Sequence, residues 1–265
     1  MNVRSLASLA NRSMQNAFAY RMSYFLTFAS NVIGFIALYA LWEAIYDGRE
    51  QLAGMSWDQM KAYLLITFMA NSLLSWYSES AIANKVLDGS VAADLLKPLD
   101  FQKARLAETI GSTAVEGGIT VIILCVIAAT LSGIPVPHSL ETWALFLFSL
   151  FGSFAVKFGV VYIAGLLCFW STGSFGIIWS RIAITNLLSG ATIPLTFFPG
   201  WLEKLALYLP FQGIVYTPAS IYMGYVDSKE ALQWIALQWA WAIGLWFAGK
   251  GIWSWAVRKI TIHGG

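Results

Sequence analysis

The sequence contains few charged residues and few of the residue types that build catalytic or metal sites. Only 11% of its 265 residues are charged, against about 25% in an ordinary globular domain, which argues against a water-soluble fold. The net charge of +2 is too small a surplus for a nucleic-acid-binding protein, which needs clustered cations. The only histidines, His138 and His263, have no second partner within a hydrophobic segment for a metal site or a Ser-His pair. The two cysteines, Cys125 and Cys168, lie near opposite ends of such segments and cannot form a disulfide.

Hydrophobic residues make up 58% of the sequence and are grouped in long runs. A bilayer core about 30 Å thick is crossed by roughly 20 apolar residues in a helix. The runs therefore predict one transmembrane domain over residues 1–265, an all-α polytopic fold with six transmembrane helices. An amphipathic pattern at residues 1–22 predicts an interfacial helix in contact with membrane lipid. The six predicted spans are residues 24–46, 58–80, 106–131, 142–168, 173–193 and 231–256.

The positive charges predict which side of the membrane each loop occupies. They are concentrated before the first predicted span, between the second and third, and after the sixth, whereas the other loops also carry acidic residues. Because positively charged loops stay in the cytoplasm, we expect both termini there. The cations on the predicted cytoplasmic side are Arg4, Arg12, Arg21, Lys85, Lys97, Lys103, Arg105, Arg258 and Lys259.

The short-helix segment (residues 88–98), within the run DGSVAADLLKPLD, lies between the second and third predicted spans. Gly89 permits a sharp turn, Ser90 is placed to cap a helix, and Pro98 ends it. An apolar stripe on such a helix predicts docking onto a partner, and the alternative is that the helix lies flat on lipid. The apolar residues of the stripe are Val91, Leu95 and Leu96, and the charged positions are Asp94 near the first turn and Lys97 in the last.

Four prolines divide the proline-divided segment (residues 194–224), which joins the fifth and sixth predicted spans, into pieces of about ten residues. Each piece is about 15 Å long as a helix and too short to cross the membrane. Short apolar helices are usually re-entrant or interfacial, so we expect a hairpin that dips into the outer leaflet. Its aromatic rings either face a cavity or anchor it in the interface. The prolines are Pro194, Pro199, Pro210 and Pro218, and the aromatic residues are Phe197, Phe198, Trp201, Phe211 and Tyr216.

Three charged residues, Glu116, Lys157 and Arg181, fall inside the third, fourth and fifth predicted spans. Each charge facing lipid costs about 2.5 kcal/mol or more, and all three lie at similar depth, so we expect one buried charge network. The network acts either as a static clamp between helices or in substrate polarity and conformational switching. Further polar groups within spans, which more often join helices than bind ligand, are Asn71, Thr185 and Asn186.

One motif resembles a nucleotide site but lacks the context for it. Residues 244–250 match G-x-x-x-x-G-K, the start of a phosphate-binding loop. Gly251 stands where a Ser or Thr would ligate magnesium, and the match lies inside an apolar helix. We therefore expect no nucleotide, metal or other cofactor in this chain, and no catalytic residues.

Two parts of the chain resemble the permease subunits of type-2 ABC exporters, and more narrowly a bacterial branch of ABC-transporter permease domains. The most specific match is LSGATIPLTFFPGWLEKLALYLPF followed by YTPASIYMG, at residues 188–211 and 216–224. The run DGSVAADLLKPLD is a second match. The resemblance covers essentially the whole chain, from the N-terminal interfacial helix to the last span.

The resemblance implies a division of labour between subunits. Gly89 to Pro98 would be the coupling helix that seats in a groove of an ATPase subunit, and Pro194 to Gly224 a re-entrant hairpin that gates the external end. The chain would form half of the pathway in a bacterial inner membrane, completed by an identical or related second permease. Two ATPase subunits would hold the ATP and magnesium. The substrate is left open.

The leading function is therefore the membrane subunit of an ATP-driven exporter that works by alternating access. The alternative is an ion-coupled secondary transporter with Glu116 as its proton-carrying group. Two features that would support this alternative are not found in the sequence. They are an inverted internal repeat and a second protonatable carboxylate near mid-membrane.

Overall fold

The structure is a computed structural model that describes residues 3–19, 21–72, 76–97, 99–130, 134–171 and 173–259. In this part of the chain the fold is all-α, as predicted, apart from a two-stranded antiparallel hairpin in which Leu52 pairs with Met55. The strands are β1 (Gln51–Leu52) and β2 (Met55–Ser56). The helices are α1 (Val3–Ala19), α2 (Arg21–Tyr46), α3 (Trp57–Asn71), α4 (Trp76–Leu87), α5 (Val91–Leu95), α6 (Phe101–Thr130), α7 (Leu140–Leu167), α8 (Phe175–Leu188), α9 (Gly200–Tyr208), α10 (Tyr216–Tyr222) and α11 (Ser228–Ala256), with 3-10 turns at Cys168–Trp170, Leu195–Phe197, Pro210–Gly213 and Val257–Lys259.

Three of the described helices are long and apolar enough to cross a membrane. Their apolar stretches are Ala29–Tyr46 in α2, Phe101–Ala128 in α6 and Leu140–Trp170, which contains α7. The helix α8 is apolar but shorter, and α11, with 29 residues, is about 43 Å long. These lengths and compositions are those of a membrane protein.

The second and fifth predicted spans differ from the helices in the structure. The second is divided between α3 and α4, because α3 ends at Asn71 and the Ser72 hydroxyl donates back to the carbonyl of Phe68. The fifth is shorter than predicted, since α8 ends at Leu188. Gly190 then adopts a φ of +82°, a left-handed conformation that commonly ends helices.

The core is built around α3 and α7. Almost every residue from Met60 to Phe68 is buried, as expected for a helix that is apolar on all sides. The side chains of Tyr63 and Val156 belong to the same hydrophobic cluster as Ile214, in the loop before α10. The helix α7 also packs against α4, α10 and α11.

Glycines bring α7 into close contact with its neighbours. A Cβ at Gly165 would lie 2.8 Å from Ile82 in α4, and a Cβ at Gly159 would lie 2.7 Å from Leu245 in α11. Small residues at helix crossings allow such approach in membrane proteins. Motion of α4 or α11 is therefore closely tied to α7.

The N-terminal helix α1 packs along α6. A Cβ at Gly111 in α6 would lie 2.0 Å from the carbonyl oxygen of Ala10, so this crossing requires glycine. Ser13 and Ala17 are buried, whereas Arg12 is exposed. The predicted amphipathic helix is thus present, with one side held against another helix of the chain. Its location at the membrane interface remains a prediction.

Candidate functional site

The short-helix segment begins with the turn that its glycine permits. Gly89 has a φ of +74°, and the Asp88 carboxylate accepts a hydrogen bond from the Ser90 amide at 2.8 Å. Ser90 occupies the N-cap position of α5, as predicted, but its side chain makes no capping hydrogen bond. Ser90 already has helical backbone angles, whereas a capping residue usually has an extended backbone. Pro98 lies outside the described residues.

The side chains of this segment divide into an inner and an outer set. Val91 and Asp94 are only 2% and 9% exposed, whereas Leu95 and Leu96 are 43% and 87% exposed. The prediction that Val91, Leu95 and Leu96 form one stripe is therefore wrong. At about 100° per residue, Leu96 points about 140° away from Val91. Lys97 is exposed with the leucines.

Val91 attaches the short-helix segment to its neighbouring helices. It joins a cluster of buried residues drawn from α4, α6 and α7. Val91 is the one fully buried apolar residue of the five-residue helix α5, so the apolar contact between α5 and this cluster is small. The other members of the cluster are Ile82, Phe101, Phe158, Tyr162 and Leu166.

Asp94 is surrounded by cations from three parts of the chain. Its carboxylate lies 2.7 Å from Lys85 Nζ in α4, 2.6 Å from Lys97 Nζ and 3.5 Å from Arg105 Nη2 in α6. Arg105 is itself buried and pairs with Glu108 at 2.7 Å. Burial alone would raise the pKa of Asp94, but the hydrogen bonds from the lysines and the charge of Arg105 hold that pKa below its ordinary value. The carboxylate is therefore ionised at neutral pH.

A cavity of about 150 Å³ lies where the short-helix segment meets α6 and α11. The rings of Phe101 and Trp253, from these two helices, stack 4.0 Å apart. Gln102 donates to the carbonyl of Trp246 at 3.2 Å, which adds a second link between α6 and α11. The short-helix segment therefore sits on the joint between these helices. The cavity lining includes Leu95, Lys97, Gln102, Lys250 and Trp253.

The proline-divided segment is broken at its prolines, as predicted. Pro194 precedes the 3-10 turn at Leu195–Phe197, and Pro199 precedes α9. Pro210 is the first residue of the next 3-10 turn. Pro218 is in the first turn of α10, where a missing N–H costs nothing because those amides have no helical partner. The resulting helices, α9 and α10, have nine and seven residues.

The aromatic residues of the proline-divided segment do not share one face. Phe197 makes an edge-on contact with Trp42 of α2, 5.2 Å between ring centroids. Trp201 is 71% exposed, whereas Phe198 and Phe211 are half-buried. These rings therefore point in different directions, because α9 is largely exposed while the part from residue 210 to 222 packs inside the fold.

A buried polar cluster that the sequence reading missed holds the proline-divided segment to α7 and α11. Gln238 Nε2 donates to the carbonyls of Ser149, at 3.0 Å, and Gly213, at 2.5 Å. Ser153 Oγ donates to the same Gly213 carbonyl at 2.9 Å. Ser149 Oγ donates to Gln238 Oε1 at 3.2 Å. A Cβ at Gly152 would lie 2.5 Å from the Gln238 side chain, so glycine makes room for it.

This Gln238 cluster lies deep between the helices. At the helical rise of about 1.5 Å per residue, Ser153 is about 20 Å from the first residue of α7, and Gln238 is about 15 Å from the first residue of α11. Backbone that is not helical at such depth needs internal hydrogen-bond partners. Ser153 and Gln238 supply them to Gly213. The signal in the sequence was a glutamine in an apolar helix, but nothing local identifies partners 89 residues away.

A second buried hydrogen bond holds the turn just before the proline-divided segment. Tyr63 Oη in α3 donates to the carbonyl of Gly190 at 2.6 Å. A Cβ at Gly190 would lie 2.5 Å from this hydroxyl. The turn that follows α8 is therefore fitted closely to the core helix α3.

The structure brings together two of the polar residues singled out within spans. Lys157 is buried, and its Nζ donates to the backbone carbonyl of Asn71 at 2.5 Å. Thr185 is also buried, and the Asn186 carbonyl accepts the amide of Ala191 at 3.1 Å, which closes the end of α8. Glu116 and Arg181 are half-buried in α6 and α8. The network of Glu116, Lys157 and Arg181 stays a prediction.

A comparison with known families matches most of the chain. The family model described as "ABC-2 family transporter protein" matches residues 32–264, from within α2 to beyond α11. The match includes both the short-helix segment and the proline-divided segment. No curated protein matches the chain.

Proposed function

Since the chain belongs to the ABC-2 transporter family and is the membrane permease of an ABC transporter, we propose that it forms half of the pathway of an ATP-driven exporter. Permeases of this family associate with ABC ATPase subunits. In our proposal two such subunits bind the transporter, and they hold all of its ATP and magnesium. A second permease, either an identical copy or a related chain, completes the pathway.

The proposed arrangement has six membrane crossings in a bacterial inner membrane. The crossings are α2, α3 with α4, α6, α7, α8 and α11. Both termini are cytoplasmic, because the positive charges cluster on that side. The short-helix segment then faces the cytoplasm, and the proline-divided segment faces outward.

The exposed tip of α5 is the observation that carries the coupling proposal. Leu96 is 87% exposed on a segment whose other side is held by Val91 and Asp94. A large apolar side chain presented this way is suited to a partner pocket. Closure of the ATPase subunits on ATP would displace this segment and so change access to the pathway.

The proline-divided segment is the proposed external gate. Its buried part, including Pro210 and Pro218, is supported by Gly213 in the Gln238 cluster, between α7 and α11. Its exposed part, α9, carries Trp201, and the carbonyl of Tyr208 at its last residue accepts a hydrogen bond from Trp241 Nε1 of α11 at 2.9 Å. A gate built this way responds to any change in the spacing of α7 and α11.

Replacing Leu96 with aspartate tests the docking proposal. We expect Leu96→Asp to lose most of the ATPase subunit that co-purifies with the tagged wild-type chain, because a carboxylate cannot enter an apolar pocket without a large desolvation cost. Leu140→Asp is the matched control, since Leu140 is 86% exposed at the opposite end of the molecule. The measurement is the ratio of ATPase to permease after affinity purification.

The same purification tests whether α5 is the docking site, and transport by the wild-type chain separates the two classes of transporter. Equal retention of the ATPase by both variants would show that α5 is not the docking site. A wild-type chain that transports alone along a proton gradient, with no ATPase bound, would replace the exporter proposal with the secondary-transporter alternative.

We also propose that Glu116, Lys157 and Arg181 form a clamp between helices. Glu116→Gln is then expected to lower the yield of assembled permease on size-exclusion chromatography, because loss of one charge leaves the others uncompensated. Glu141→Gln is the control, since Glu141 is exposed. A Glu116→Gln variant that assembles normally but no longer transports would assign the residues to the transport step instead.

A further inference from the structure

Asp94 lacks the exposure expected of a residue that touches an ATPase. Its side chain is 7% exposed, and its oxygens are directed to Lys85, Lys97 and Arg105. We propose that Asp94 is a positioning residue that fixes the short-helix segment to α4 and α6, so that a push on the segment moves both helices together. This inference rests on the proposed function, which supplies the push.

The short-helix segment needs such a fixing point. A helix of five residues is not stable by itself, and its only fully buried apolar side chain is Val91. Without the Asp94 carboxylate, an ATPase that seats Leu96 would bend the segment and leave the helices in place. The Asp94 and Arg105 side chains are both buried, and this pair resists the motion because separating its charges in a poorly solvated site is costly.

The partners of Asp94 lead to different helices. Lys85 is in the last turn of α4, which packs against α7 where Ile82 meets Gly165. Arg105 is in the first part of α6, which is joined to α11 through the stacked rings of Phe101 and Trp253. A displacement of the short-helix segment is therefore passed to α7 on one side and to α11 on the other.

The helices α7 and α11 are the ones that hold the proposed external gate. Ser153 in α7 and Gln238 in α11 both donate to the carbonyl of Gly213. A continuous set of packed contacts and hydrogen bonds thus runs from Asp94 to the turn beneath α9. Coupling between distant sites is carried by contacts of this kind.

The test compares two Asp→Asn substitutions in the purified complex of permease and ATPase. Asp94→Asn removes the charge at the cluster. Asp47→Asn makes the same change at an exposed carboxylate in the turn after α2, outside the short-helix segment. Movement of the proposed gate is followed with an environment-sensitive fluorophore attached at Lys204→Cys, an exposed position of α9. Both native cysteines are replaced by serine so that only this position is labelled.

The experiment records three quantities: co-purified ATPase, the rate of ATP hydrolysis and the fluorescence change on vanadate trapping with ATP. For Asp94→Asn we expect normal co-purification and hydrolysis, with the fluorescence change reduced roughly fivefold, within the range found for residues that carry coupling. Asp94→Glu should recover part of the change, and Asp47→Asn should match the wild type.

Three results would overturn the inference while leaving the proposed function intact. The first is a normal fluorescence change in Asp94→Asn. The second is loss of ATPase binding in Asp94→Asn, which would make Asp94 a docking residue. If Asp94→Asn does not fold, Lys85→Gln takes its place, because it removes only the α4 partner. The third result is then a normal fluorescence change in Lys85→Gln. A wild-type complex with no ATPase, or with no ATP-dependent change, contradicts the proposed function itself.

Discussion

Replacing Gly190 with alanine is expected to lower the stability of the folded permease by about 2–5 kcal/mol. Gly190 has a φ of +82°, where a residue with a Cβ costs about 1–2 kcal/mol. The added Cβ would also lie 2.5 Å from Tyr63 Oη, so the buried hydrogen bond between them must break. Leaving such a group unsatisfied costs about 1–3 kcal/mol. The measurement is the apparent unfolding temperature in detergent.

Two other substitutions separate the contributions to this effect. Gly224→Ala carries the backbone cost alone, because Gly224 has a φ of +69° and a Cβ there would meet nothing within 4 Å. Tyr63→Phe removes only the hydroxyl. Gly190→Ala should therefore lower the unfolding temperature more than either one. Equal decreases for Gly190→Ala and Gly224→Ala would mean that the contact with Tyr63 contributes nothing.

Replacing Gln238 with leucine is expected to cost about 2–4 kcal/mol and to release the proline-divided segment from α7 and α11. The leucine has similar volume but leaves the Gly213 carbonyl with Ser153 as its only donor in the cluster. The Ser149 hydroxyl also loses its acceptor. Hydrogen exchange at residues 211–214 should increase, and the apparent unfolding temperature should fall.

An exposed glutamine on the same helix is the control for this change. Gln233 is exposed, so Gln233→Leu adds the same apolar volume without removing a buried hydrogen bond. We expect its exchange rates and unfolding temperature to match the wild type. If Gln238→Leu also leaves hydrogen exchange at residues 211–214 unchanged, the Gln238 cluster does not hold the turn.

The two predictions concern the two points at which the proline-divided segment is held. Gly190 lies four residues before it, against α3, and Gly213 lies within it, between α7 and α11. Between these points, α9 is mostly exposed, with Ala206 buried and the Tyr208 carbonyl accepting a hydrogen bond from Trp241 of α11. The structure therefore holds the chain on both sides of a largely exposed helix, an arrangement that fits the proposed gate.

The amino-acid sequence alone determined the features that depend on local physics. Long apolar runs with few charges predict membrane helices, because uncompensated polar groups are excluded from lipid. Pro199 and Pro210 predicted the breaks around α9, because proline lacks the amide that continues a helix. Gly89 likewise marked the turn before α5. Two short stretches of sequence were sufficient for the resemblance to ABC permeases.

The tertiary structure alone decided which residues of those segments face inward. Val91 and Leu96 are both apolar, yet one is buried and the other exposed, because α6 and α7 cover only one side of α5. Asp94 turned from an expected docking residue into the centre of an ion cluster. The partners of Gln238 come from helices far apart in the sequence. Such contacts depend on how helices pack, and periodicity within one helix carries no information about its neighbour.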